Sequence, residues 1–92
     1  MRLWSARSWR ARARGLAGHS LADCAGIDGM IFQFPFAARW PVWMRGMQFS
    51  IDLIWLYGDV VLAVQSHIDQ KNPWRCYFPP RSATGLIERI IR

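Results

Sequence analysis

The feature that most constrains this chain is a pair of apolar runs joined by a two-residue turn. The runs IDLIWLY (51–57) and VVLAVQSHI (60–68) are rich in β-branched and aromatic residues, and they flank Gly58-Asp59. Two runs of this kind, separated by a two-residue turn that begins with Gly, predict a β-hairpin. Because both runs are apolar on both faces, we expect the hairpin to lie in the centre of a sheet.

The rest of the chain predicts further strands and one helix. The stretch GMIFQF (29–34) predicts a strand, and GLIERIIR (85–92) fits either a last strand or a short helix. The stretch SARSWRARAR (5–14) predicts a short helix, because Ala and Arg are good helix formers and Gly15 can end it. These elements predict a mainly β fold in which one short N-terminal helix covers a sheet.

Length and composition allow one domain over residues 1–92. Of the 92 residues, 52% are hydrophobic and six are Trp, so the chain can bury a core although its stability margin is small. The formal net charge is +6, and the positive charge is concentrated before the first acidic residue, Asp23. One interpretation of this charge is a surface that attracts polyanions. The simpler interpretation is a helix face whose arginines are only solvated.

Several functional classes have no support in the sequence. Asp52 interrupts the longest apolar stretch, which argues against a transmembrane helix, and without a secretory signal we expect a cytoplasmic protein. Cys24 and Cys76 form no C-x-x-C motif, so two buried thiols are the simpler alternative to one bridge. The two histidines lack the spacing of metal ligands, so we expect no metal and no cofactor.

Six stretches occur in the order seen in a family of uncharacterised domains. They are RARGLAG (12–18), GMIFQF (29–34), VWMRGMQFSIDLIWL (42–56), VVLAV (60–64), YFPP (77–80) and LIE (86–88). By their order and spacing, the chain resembles the DUF192 or UPF0127 family from about Arg12 to Glu88. The resemblance implies a compact antiparallel β-sandwich or barrel-like sheet with one short helix, and it implies no established activity, cofactor or partner.

The sequence departs from the family pattern at some positions and at both ends. Ala17 stands where the family usually has Met, and Ser50 replaces a Pro before an Ile-Asp pair. The family domain usually starts one strand earlier and continues beyond the position of Glu88 into further strands. The resemblance therefore implies a copy shortened at both ends, with exposed sheet edges through which the protein can self-associate.

Asp52 is a single carboxylate in the middle of an apolar run. An ionised carboxylate on an apolar face is strongly unfavourable unless it is paired or hydrogen-bonded, so we predict a guanidinium or amide donor. The matched family motifs make Arg14 and Arg45 the candidate partners, and the backbone N–H groups around 44–46 are the alternative.

Two hypotheses about function follow. In the first, a groove binds a small polar ligand, because aromatic walls with a few convergent polar groups are typical of ligand sites. The tentative groove residues are Arg14, Trp43, Met44, Arg45 and Asp52. In the structural alternative, Asp52 only anchors a helix or loop to the sheet.

The second hypothesis is a basic module that binds nucleic acid or an anionic membrane through the Arg-rich N-terminal helix. For an enzyme the sequence gives little support, since one carboxylate with no second acid and no metal ligand is a poor catalytic set. A binding protein is therefore favoured over an enzyme.

Overall fold

The computed structural model describes residues 1–6 and 15–92. This part of the chain contains seven strands and no helix. In chain order, β1 to β7 are Leu3–Ala6, Gly29–Ala38, Val42–Trp43, Ile51–Tyr57, Val60–Ile68, Cys76–Tyr77 and Ala83–Ile90. The mainly β prediction is confirmed, and the stretch 85–92 that fitted either a strand or a helix contributes to a strand.

Five of the strands form one mixed sheet in the order β1-β2-β7-β4-β5. β1 runs parallel to β2, and the other neighbours are antiparallel. β3 and β6 form a separate two-stranded antiparallel ribbon. Of the predicted antiparallel β-sandwich or barrel-like sheet, the wholly antiparallel arrangement is wrong because one pair is parallel, and the described sheet does not close into a barrel. The long connection between β1 and β2 explains the parallel pair, because parallel neighbours need a crossover of about a dozen residues or more.

The predicted hairpin is confirmed, with β4 and β5 joined at Gly58-Asp59. Tyr57 pairs with Val60, and Gly58 has a positive φ of 57°, which a glycine adopts without steric cost. β4 lies between β7 and β5, whereas β5 is the last strand of the described sheet. The expectation that the whole hairpin is central is therefore wrong for β5. Its apolar residues Val61 and Val64 are about half exposed at the sheet edge.

The predicted N-terminal helix over 5–14 is wrong at its start. Ser5 and Ala6 belong to β1, where they pair with Ile31 and Phe32 of β2. Pairing with a neighbouring strand outweighs the weak intrinsic preference of these residues for a helix. The remainder of the predicted helix, 7–14, lies outside the described residues. Among those described, no helix has the length and apolar character needed to cross a bilayer.

The core lies on one face of the sheet, where Phe32, Trp55 and Leu86 are almost fully buried. The register places Leu86 opposite both Phe32 and Trp55, so the three side chains share this face. Leu16 and Met44, which come from loops, are fully buried in the same cluster. The loops that carry them therefore pack over the core face of the sheet.

Candidate functional site

Asp52 has the donors that its position in an apolar strand requires. The residue is only 8% exposed, and its Oδ2 accepts hydrogen bonds from Arg89 Nε at 3.0 Å and Nη2 at 2.7 Å. Its Oδ1 accepts the backbone N–H of His67 at 2.8 Å. The prediction of a guanidinium or amide donor is confirmed, and both kinds are present.

Strand register explains why these two donors meet Asp52. Arg89 lies directly opposite Asp52 in the pairing of β4 with β7. On the other side, the register of β4 with β5 shifts opposite Asp52, and His67 has a positive φ of 55° there. A bulge of this kind re-aims backbone groups, and here the His67 N–H donates to the carboxylate.

The contacts of Asp52 favour its ionised form. Burial alone would raise the pKa of Asp52, but the hydrogen bond from the His67 backbone and the Arg89 guanidinium together hold it below the ordinary 3.8. Asp52 thus links β4 to β5 and to β7. Since side chains alternate along a strand, Asp52 lies on the face opposite to Leu53, which pairs with Glu88 on the core face.

Arg45 and Arg14 are not the observed partners of Asp52. The guanidinium carbon of Arg45 lies 5.1 Å from the centre of the Trp74 ring, in a cation–π contact. Arg14 is among the residues that the structure does not describe. The sequence could not indicate Arg89, because pairing of β4 with β7 depends on the order of strands in the sheet rather than on a local pattern.

The remaining predicted residues have different environments. Met44 is fully buried and packs in the hydrophobic core, while neighbouring Trp43 is 49% exposed. Trp43 and Arg45 line the same pocket, whereas Met44 and Asp52 are not among its lining residues. The structure therefore brings together two of the four predicted residues that it describes.

This pocket, with a volume of about 370 Å³, opens on the core face of the sheet. Strands β2 and β7 provide one side, and the segment 41–47 that contains β3 provides another. The lining residues are Gly15, Phe32, Phe34, Pro41, Val42, Trp43, Arg45, Met47, Leu86 and Glu88. Most of the lining residues are apolar or aromatic, but polar atoms provide about half of the pocket surface, and the two charged residues are Arg45 and Glu88.

Glu88 is the polar group whose environment is most unusual. The residue is 6% exposed, and its Oε1 has no hydrogen-bond partner within the described part of the chain. Burial raises the pKa of Glu88 to about 7, and a hydrogen bond from the backbone of Leu16 opposes this rise only in part. Gly15, with a φ of +55°, lies against the carboxyl, and a Cβ there would be 3.0 Å from Oε1.

The chemistry available at this site follows from the state of Glu88. With a pKa of about 7, the carboxyl is present in both its protonated and ionised forms at neutral pH. A buried acceptor without a partner destabilises the folded state by about 1–3 kcal/mol. A ligand group that donates a hydrogen bond to Oε1 would recover part of this energy.

Sequence reasoning noted Glu88 only as part of the LIE motif. The signal that could have found it is the one that singled out Asp52, namely a carboxylate inside an apolar run. Using that signal required knowing that 83–90 is a strand, because only a strand places Glu88 on the same face as Leu86.

Thiol and metal chemistry are the other candidates. Cys24 is buried and Cys76 is half-buried, and both are free thiols. In the part of the chain that the structure covers, no three His, Cys, Asp or Glu side chains are grouped as a metal site would require.

The chain matches a family model. The match is to DUF192, described as "Uncharacterized ACR, COG1430", and it covers residues 1–89. No curated protein and no solved structure matched the chain. The family match extends over nearly all of the 92 residues and agrees with the order of the motifs quoted above. The protein therefore belongs to the DUF192 family.

Proposed function

We propose that this protein binds a small organic ligand in the Glu88 pocket, and that the ligand presents an amine or another hydrogen-bond donor to the Glu88 carboxyl. The observation that most supports this proposal is the buried Oε1, which lacks a partner among the described residues and belongs to a pocket-lining side chain. Buried polar groups in folded proteins normally have partners, and the exceptions call for a functional or structural explanation. A bound donor is such an explanation.

The pocket walls favour a ligand whose body is apolar or aromatic. Phe32 and Leu86 provide buried apolar surface, and Trp43 provides a half-exposed ring. The volume of about 370 Å³ is within the range of about 300–1,000 Å³ that is common for small-molecule pockets. Arg45 adds a positive charge, which suits an acceptor or anionic group on a part of the ligand away from Glu88.

This proposal keeps the ligand-binding hypothesis but changes its polar anchor. Trp43 and Arg45 remain, because both line the pocket. Asp52 is replaced by Glu88, because the Asp52 carboxylate is already satisfied by Arg89 and by the His67 backbone. The ligand group that we expect is therefore a donor for a carboxyl on the core face of the sheet.

Benzylamine and benzoate are suitable probes, because they share a ring and differ in the polar group. We expect benzylamine to bind with a Kd on the order of 1 mM, a value typical of a fragment of this size. In two-dimensional NMR, benzylamine should shift the backbone signals of the pocket residues. At about pH 8, where Glu88 is mostly ionised, benzoate should shift the signals beside Glu88 far less, because its carboxylate cannot donate to Glu88 and is repelled by it, even though Arg45 attracts benzoate.

The variant Glu88→Gln retains the shape of the side chain but cannot ionise, so it should lose the preference for benzylamine. Asp59→Asn is the matched control, since it removes one carboxylate at the exposed hairpin turn. Equal shifts by the two probes, no shift by benzylamine, or unchanged benzylamine binding in Glu88→Gln would each refute the proposal.

A further inference from the structure

Three arginines each lie over an aromatic ring near the β3–β6 ribbon. Measured from guanidinium carbon to ring centre, the pairs are Arg39–Phe78 at 5.6 Å, Arg45–Trp74 at 5.1 Å and Arg75–Tyr77 at 5.0 Å. These six residues are named here the arginine–aromatic surface. All three arginines are exposed, so the positive charge of this surface faces solvent.

The ribbon brings the three pairs to neighbouring positions along two paired segments. β3 and β6 pair antiparallel, so Arg39 before β3 and Arg45 after it flank the segment that runs from Trp74 to Phe78. Arg39 is also fixed by a hydrogen bond from its Nε to the carbonyl oxygen of Pro79 at 3.0 Å. Each of the three guanidinium groups is therefore positioned by a ring, and that of Arg39 is also positioned by this hydrogen bond.

The two segments that build this surface carry positive charge only. Residues 39–51 and 70–87 contain no Asp or Glu. Their basic residues are Arg39, Arg45, Lys71, Arg75 and Arg81. No carboxylate among the described residues forms an ion pair with an arginine of the arginine–aromatic surface. A partner with negative charge would therefore meet no carboxylate on these two segments.

Stacking leaves the guanidinium groups suited to phosphate. A guanidinium over a ring keeps its edge N–H groups available for the paired hydrogen bonds that phosphate accepts. Two of the rings are also accessible, since Trp74 is 67% exposed and Phe78 is 43% exposed. Exposed rings that alternate with cations match the alternation of bases and phosphates in a single strand.

We infer that the arginine–aromatic surface binds single-stranded nucleic acid. A base stacks on the exposed ring of Trp74, and Arg39, Arg45 and Arg75 bind the phosphates. This binding site is separate from the Glu88 carboxyl, although Arg45 contributes to both. A duplex would offer no free base faces, and a lipid surface would offer no stacking partner for Trp74.

Fluorescence anisotropy with a fluorescein-labelled oligothymidine of twelve nucleotides tests this inference. We expect the logarithm of the association constant to fall against the logarithm of salt concentration with a slope of about −2, as three phosphate contacts on a single strand imply. Binding should also quench tryptophan fluorescence, because a base stacks on the ring. A duplex of the same length should bind more weakly and without this quenching.

Two variants and one matched control locate the site. Arg75→Gln should weaken binding about fivefold and reduce the salt slope by about 0.7, the contribution of one phosphate contact. Trp74→Leu should weaken binding about fivefold or more and remove most of the quenching, because the base stacked on this ring loses its aromatic partner. Arg2→Gln removes the same charge at an exposed position outside the surface and should change affinity less than twofold, an effect of net charge alone.

Several outcomes would overturn the inference. Equal weakening by Arg2→Gln and Arg75→Gln would mean that net charge alone drives binding. Loss of binding in Arg7→Gln with Arg10→Gln, but not in Arg75→Gln, would move the site to the N-terminal segment. Tighter binding to anionic lipid vesicles, equal binding to duplex, or no binding at low salt would also contradict it.

Discussion

Replacing Glu88 by Gln should stabilise the protein at alkaline pH and should remove one source of pH dependence. The carboxyl of Glu88 is buried, and burial raises its pKa from 4.5 to about 7. In the unfolded chain this carboxyl is in water and ionises near its ordinary pKa. Folding above neutral pH therefore places an ionised group in a site that disfavours it.

The size of the effect follows from the difference between the two pKa values. Between pH 4.5 and about 7 the unfolded chain has released this proton and the folded chain still holds it. The unfolding free energy should therefore be highest below pH 4.5, fall as the pH rises to about 7, and stay low above it. The total fall corresponds to about 3 kcal/mol, at about 1.4 kcal/mol per unit of pKa. For a domain whose whole stability is about 5–15 kcal/mol, this is a large fraction.

Chemical denaturation followed by tryptophan fluorescence measures this effect. The unfolding free energies of wild type and Glu88→Gln are compared at several values from about pH 4 to about pH 8, and their difference removes the contribution of every other titrating group. We expect a difference near zero at the acidic end and about 3 kcal/mol in favour of Gln at the alkaline end. The control Asp59→Asn removes a carboxylate at the exposed hairpin turn and should not reproduce this difference. A constant difference for Glu88→Gln would refute the reasoning.

Three further predictions concern the fold. In a double-mutant cycle, Asp52→Asn and Arg89→Met should show a coupling of about 1 kcal/mol, because the Arg89 side chain is 44% exposed and the pair is partly screened. This coupling should be lost as the pH falls through 3.8 towards the lowered pKa of Asp52. A coupling of zero at neutral pH would contradict the prediction. Gly15→Ala should lower the unfolding free energy by about 1–2 kcal/mol, because a φ of +55° is strained for Ala. The new Cβ would also be 3.0 Å from an oxygen of Glu88. An unchanged melting temperature would argue against this contact. The double variant Val61→Lys with Val64→Lys should reduce self-association through the β5 edge without unfolding the protein. Sedimentation equilibrium measures this effect, and a wild type that stays monomeric at high concentration would count against association at this edge.

Local signals predicted the parts of the fold that depend on neighbouring residues. The hairpin at Gly58-Asp59 was predictable, because its strands and its turn are contiguous in sequence. The need of Asp52 for a donor was predictable too, because it follows from burial of one charge in an apolar run. Neither inference requires the order of strands in the sheet.

The unpredicted parts depend on contacts between distant residues. Arg89 meets Asp52 only because β7 lies beside β4, and local periodicity does not report strand order. Ser5 and Ala6 belong to a strand because β1 pairs with β2, and their intrinsic propensities do not indicate that pairing. Glu88 lines the pocket because β7 lies between β2 and β4 in the sheet.

The central claim is that the Glu88 carboxyl accepts a hydrogen bond from a bound ligand, and a direct measurement of the Glu88 pKa tests it. Carbon-13 NMR of the carboxyl follows its titration in the free protein and with benzylamine. The free protein should titrate at about 7, and benzylamine should lower that pKa because a bound ammonium favours the ionised form. A carboxyl that titrates at 4.5 and does not respond to benzylamine would contradict the account.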